Sequence, residues 1–133
     1  MIKAVDIKAE LAGRPVLGAR GKETTEAEAK AAFAVLAPFR DGSIFAGSFS
    51  GDSPWERHQK GDELVQILDG ATTLTIMTDS GPQSFKLAAG KSAIVSTDAR
   101  GSSRYSTVGF SGAVALRVTA RSSAPERISS NAR

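Results

Sequence analysis

With 133 residues, 41% of them hydrophobic and 23% charged, the chain is long enough for one folded domain with a real core. It has no cysteine, which excludes a disulfide framework, a thiolate metal site and a cysteine nucleophile, and fits a reducing cytosol. The net charge is only +3, and Arg100, Arg104, Arg117, Arg121, Arg127 and Arg133 spread over the C-terminal third without forming a block, which argues against nucleic-acid binding.

The opening stretch MIKAVDIKAELAGRP carries charges every few residues and no apolar core segment, unlike a secretory signal. No stretch approaches the ~20 apolar residues of a membrane span. A cytoplasmic protein with no membrane partner is expected. Residues 1–23 read as a mixed arm. In TTEAEAKAAFAVLAPFRDG, Thr25 with Glu28 three residues on resembles a capping box, which predicts a helical turn over 25–31. FAVLAPFRDGSIFAGSF then reads as two short apolar runs joined at Asp41-Gly42, a hairpin signal, with strands over 32–37 and 43–49.

From residue 63 the pattern is regular. ELVQILDG reads as a strand ending at Asp69-Gly70, and ATTLTIMT as a β-branched strand before the turn DSGP. QSFKLAA alternates and ends at Gly90, and SAIVS is short and apolar. SSRYSTVGF and AVALRVTA read as two strands broken at Ser111-Gly112. Short strands with turn signals every ~8–12 residues predict an all-β sandwich or barrel. The tail RSSAPERISSNAR is expected to be loosely held, from its composition.

The chemistry concentrates in PWERHQKGDELVQILDG, residues 54–70, where His58, the only histidine, stands between Glu56 and Glu63. Residues two apart on a strand face the same side, so Glu56 and His58 can both point into a barrel. A turn at Lys60-Gly61-Asp62 lets Glu63 return to the same interior, and Gly70 suits a tight turn at the end of the next strand.

This spacing resembles the first motif of the cupin family, His-x-His-x4-Glu-x6-Gly. Cupins are small double-stranded β-helix (jelly-roll) barrels, many of which bind a divalent metal. The motif falls on Glu56, His58, Glu63 and Gly70, with Glu56 in place of the first histidine. The resemblance implies an all-β cupin-like barrel over residues 32–119, an N-terminal arm over 1–31 and a C-terminal extension over 120–133. The family's second motif is a glycine, a Pro-x-Gly turn and a histidine. GKSAIVSTDARGSSRYS starts correctly at Gly90, but Ser96 stands where proline is usual and Asp98 where glycine is usual. No histidine follows; Gly101 takes its place without a gap, or Ser103 with a two-residue insertion.

One imidazole and two carboxylates make a harder and weaker ligand set than the family's three His and one Glu. Such a set could hold Mn²⁺ or another oxygen-preferring ion with water filling the rest, or no metal at all. The alternative is a closed polar network with His58 between Glu56 and Glu63. Trp55, the only tryptophan, adjoins the site, either packed at the core or rim or serving as a ligand platform. Arg104 and Tyr105 fall where the family's second motif enters the barrel. Arg104 there could grip a carboxylate or phosphate, or pair with Asp98. Arg57 alternates with Glu56 and His58 and should point outward. AGKS at 89–92 lacks the earlier glycine of a phosphate loop, and no G-x-S-x-G elbow occurs.

Two function classes follow. The first is a small-molecule binding module with a pocket lined by Glu56, His58 and Glu63, with Trp55, Arg104 and Tyr105 as further contacts and no standard metal centre. The second is a metal-dependent oxygenase or isomerase, with Glu56, His58 and Glu63 holding the divalent cofactor. The missing histidines favour the first. The resemblance also implies a homodimer, formed through the arm at 1–23 and the segment after 120.

Overall fold

The structure, a computed structural model, describes residues 3–58, 62–96, 106–121 and 126–127; for 57, 58, 106–121 and 126–127 it describes the backbone alone. Among these residues the elements in chain order are α1 (Ile7–Leu11), β1 (Leu17–Arg20), α2 (Glu26–Ala32), β2 (Phe33–Phe39), β3 (Gly42–Asp52), β4 (Glu56–His58), β5 (Glu63–Thr78), β6 (Gly81–Ala88), β7 (Ser92–Val95), β8 (Ser106–Arg121) and β9 (Glu126–Arg127). Among the described residues, no helix is long and apolar enough to cross a membrane.

The described part of the arm carries a short helix, α1, and a strand, β1. Asp6 caps α1 by accepting a hydrogen bond from the Ala9 backbone N–H at 3.1 Å. Ile7 and Leu11, four apart and so on one helical face, pack with Val5 and Ile44 against buried Ala34, Leu36 and Ala46. α2 has the capping box expected at Thr25 and Glu28, and runs one residue further than predicted. Hydrogen bonds from Thr25, the backbone N–H first and the hydroxyl second, hold the Glu28 carboxyl below its ordinary value. At the other end of α2, Arg14 donates to the carbonyls of Lys30, Ala31 and Phe33 at 3.2–3.3 Å, which satisfies acceptors that a helix terminus leaves open.

β2 and β3 form the predicted hairpin, but its turn lies one residue earlier than Asp41-Gly42. Phe39 pairs with Gly42, so the loop is Arg40-Asp41, and Arg40 supplies the positive φ of 55°. The two breaks expected at Asp69-Gly70 and Ser111-Gly112 are not breaks. β5 and β8 are continuous strands of 16 residues each, antiparallel to one another along their length. Their pairing slips between Ile67 and Asp69 and again between Gly70 and Thr73, and β3 slips against β8 between Phe49 and Gly51. These slips are corners. Gly70, at φ +78°, turns the strand without ending it.

The corners divide the ladder into two halves. In one, the start of β5 pairs with β7 and with the end of β8, and β8 continues to β3 and β2. In the other, the end of β5 pairs with β6 and with the start of β8, which continues to β4 and β9. A single apolar cluster joins both halves: Phe49, Val65, Ile67 and Val95 come from the first, Leu74 and Leu87 from the second. The halves therefore pack face to face, as in a jelly roll. Among the described strands, β1 is the one parallel addition. It lies along β3 beyond the end of β2, with Leu17 opposite Phe49 and Arg20 opposite Gly51.

Candidate functional site

Both carboxylates singled out by spacing are buried. Glu56 is 5% exposed on β4, opposite Val108 of β8. Glu63 is 0% exposed and opens β5, opposite Val95 of β7 and Arg121 of β8. They stand on opposite halves of the barrel, and the segment between them connects the two. His58 lies two residues beyond Glu56 on β4, opposite Ser106. The side chains of His58 and Arg57 lie outside those described, as do Arg104 and Tyr105 altogether. Trp55, immediately before β4, is 37% exposed, which puts it at the rim rather than in the core.

One partner of Glu56 is a residue that spacing does not reveal. Arg20, at the end of β1, donates from Nη2 to Glu56 Oε1 at 3.0 Å. Both side chains are buried, at 8% and 7% exposure. The guanidinium carbon also lies 5.4 Å from the Phe33 ring centre and 5.0 Å from that of Phe49, close enough for cation–π attraction to both. The two rings tilt at 33° with centres 6.2 Å apart. The ion pair thus spans the barrel, joining β1, bound to the first half, to β4 of the second.

Local backbone geometry explains how Arg20 enters. Simple alternation from Leu17, which packs on the core, would turn Ala19 inward and Arg20 outward. Ala19 instead has φ +50°, and its N–H is bonded to Ser50 Oγ at 3.2 Å. That left-handed step resets the alternation, leaving Ala19 exposed and Arg20 buried. Gly51, at φ +94°, makes the approach possible. A Cβ there would lie 2.5 Å from Arg20 O and 2.7 Å from Arg20 N.

A divalent ion needs several nitrogen or oxygen donors converging on one point. Among the described residues, no three His, Cys, Asp or Glu side chains converge in that way. Glu56 Oε1 already accepts from a guanidinium, and a dication beside it would meet that fixed positive charge at close range in a dry interior. The described donors do not fit a metal as they stand.

No family model and no curated protein matches the sequence. Solved structures do match. A Neisseria meningitidis protein is similar with a TM-score of 0.62 at 16% identity, over 91% of this chain and 100% of that one. The cupin domain of Drosophila melanogaster CENP-C is similar with a TM-score of 0.55 at 10% identity, over 67% of each chain. The fold is the cupin fold. A hydroquinone 1,2-dioxygenase, in complex with Cd²⁺ and 4-hydroxybenzonitrile, is also similar with a TM-score of 0.50 at 12% identity. That match covers 65% of this chain and 61% of the dioxygenase. Likeness at this identity fixes architecture rather than chemistry.

Proposed function

We propose that this cupin binds a small polar organic molecule within its barrel, at a pocket lined by Glu56, His58 and Glu63, without a standard metal centre. The observation that carries this is the polar interior. Among the described residues, Arg20, Glu56, Glu63 and Thr72 are buried beside a core that is otherwise apolar. Well-packed apolar residues of similar volume would stabilise such a core as well or better, so stability alone does not account for these groups. Trp55 at the rim offers a flat apolar face to a planar ligand. Arg104 and Tyr105 enter the proposal as contacts closing the pocket. The barrel over 32–119 receives its arm from 1–31 and its extension from 120–133. The working unit is a cytoplasmic homodimer joined through the arm at 1–23 and the segment after 120.

The test is a thermal-shift panel of organic acids, phenols, sugars and nucleosides, run in the presence of chelator. At least one class should raise the melting temperature. Glu63→Gln should remove that shift, whereas Lys86→Ala on the exposed part of β6 should not. A panel with no stabilising compound overturns the proposal. A shift that appears only with added divalent metal favours an oxygenase- or isomerase-type cupin instead. Light scattering tests the dimer, and a mass of one chain would rule it out.

A further inference from the structure

We propose that Arg20 is the resident cation of the barrel: its guanidinium neutralises Glu56 in the place a divalent metal would otherwise take, and so sets the site against metal ions. This deepens the metal-free part of the proposed function and does not depend on which organic ligand binds.

The placement of Arg20 rests on four features that act together. Its strand is bound in parallel to β3 and comes from the arm, outside the antiparallel ladder. Ala19 takes an unfavourable left-handed conformation that turns Arg20 inward. Gly51 leaves out the one atom that would hold β1 away. Phe33 and Phe49 lie within cation–π distance of the guanidinium, a surface that suits this weakly hydrated cation better than an ammonium or a hydrated metal ion. The result is a fixed positive charge 3.0 Å from the carboxylate that stands in the first-histidine position of the resembled motif. A carboxylate held in this way has its charge already compensated. A dication would have to displace the guanidinium or tolerate it as a neighbour.

The experiment removes the cation and asks whether a metal replaces it. Arg20→Met keeps an unbranched stem of similar bulk and removes the guanidinium from Glu56. Arg20→Met/Glu56→Leu removes both charges. Each protein is titrated with Mn²⁺ and Zn²⁺ by calorimetry and melted with and without each ion. Wild type should bind neither ion stoichiometrically. Arg20→Met should bind at least one of them tenfold or more tightly than wild type, and its melting temperature should rise on addition of that ion. The double variant should show neither effect. Should Arg20→Met not fold in chelator, refolding in Mn²⁺ or Zn²⁺ is the same test, and recovery of the folded barrel supports the proposal. Stoichiometric metal binding by wild type overturns it. So does an Arg20→Met protein that neither ion binds, stabilises or refolds. Failure of the ligand panel leaves these outcomes untouched, so the two proposals fail separately.

Discussion

The Arg20–Glu56 pair makes a quantitative prediction about stability that a surface salt bridge would not. Both side chains are buried and the contact is 3.0 Å. Removing one partner of a buried pair leaves the other charge without that counter-charge in a dry interior, at a cost of about 3–5 kcal/mol. Native domains are stable by only ~5–15 kcal/mol, so Arg20→Met or Glu56→Leu alone should remove a large part of the total. Replacing both should behave differently. No charge is left behind, Met fills the space beside Phe33 and Phe49, and the double variant should lie within about 1 kcal/mol of wild type or above it. The cycle should therefore show strong coupling. Urea denaturation measures it, and Trp55 is a convenient probe, since it is the only tryptophan and immediately precedes Glu56. Independent sites add within ~0.3–0.5 kcal/mol. If the two single losses add to the double loss within that margin, the pair is not an energetic unit, and the account of the site is wrong.

Three further predictions concern the backbone around that pair and the helix before it. Gly51→Ala should cost about 1–3 kcal/mol in urea denaturation, because it imposes a strained φ and pushes β1 off β3, and it should weaken the effect of a second change at Arg20; a variant as stable as wild type would refute the close approach. Ala19→Gly should be neutral or stabilise by up to about 1 kcal/mol, since only glycine tolerates φ +50° freely; a clear loss would show that Ala19 is not in that conformation. Glu28→Ala should lower the melting temperature at neutral pH and progressively less in acid. The folded carboxyl titrates below its ordinary value of 4.5, so its contribution is complete above that value and is lost as pH falls through the lowered one; a difference that does not change with pH would refute the capping role.

The elements legible in the sequence were those whose signals are local. The Thr25–Glu28 box is a four-residue pattern with a single physical purpose, and α2 begins there. The alternation in ELVQILDG, ATTLTIMT and QSFKLAA gave strands of the right phase, with Val65, Ile67, Leu74 and Leu87 buried. Asp69-Gly70 reads as a strand end because a glycine in such a run usually marks a turn. At a barrel corner the same residue bends a strand that keeps its partner, and β8 opposite supplies the continuity. Nothing within the eight residues around Gly70 distinguishes the two cases. The distinction comes from β8, whose matching corner lies some forty residues downstream.

Arg20 is hidden in the sequence for a different reason, and that reason bears on how such sites form. A single arginine in GARGK, among charged and small residues, has the composition of a solvated surface. Strand alternation from Leu17 would even point it outward. What turns it inward is one non-glycine residue at positive φ, and what makes that residue tolerable is packing against β3: the Ser50 hydroxyl that accepts from Ala19, and the missing side chain of Gly51. Both lie about thirty residues away in sequence. The carboxylates could be found because a barrel motif fixes their spacing on adjoining elements. Their counter-charge could not, because it arrives from the arm through a strained step that only the completed barrel supports. The conformation of Ala19 and the charge state of the site are thus one problem. A change that straightens β1 should release Glu56 just as removal of the Arg20 side chain does.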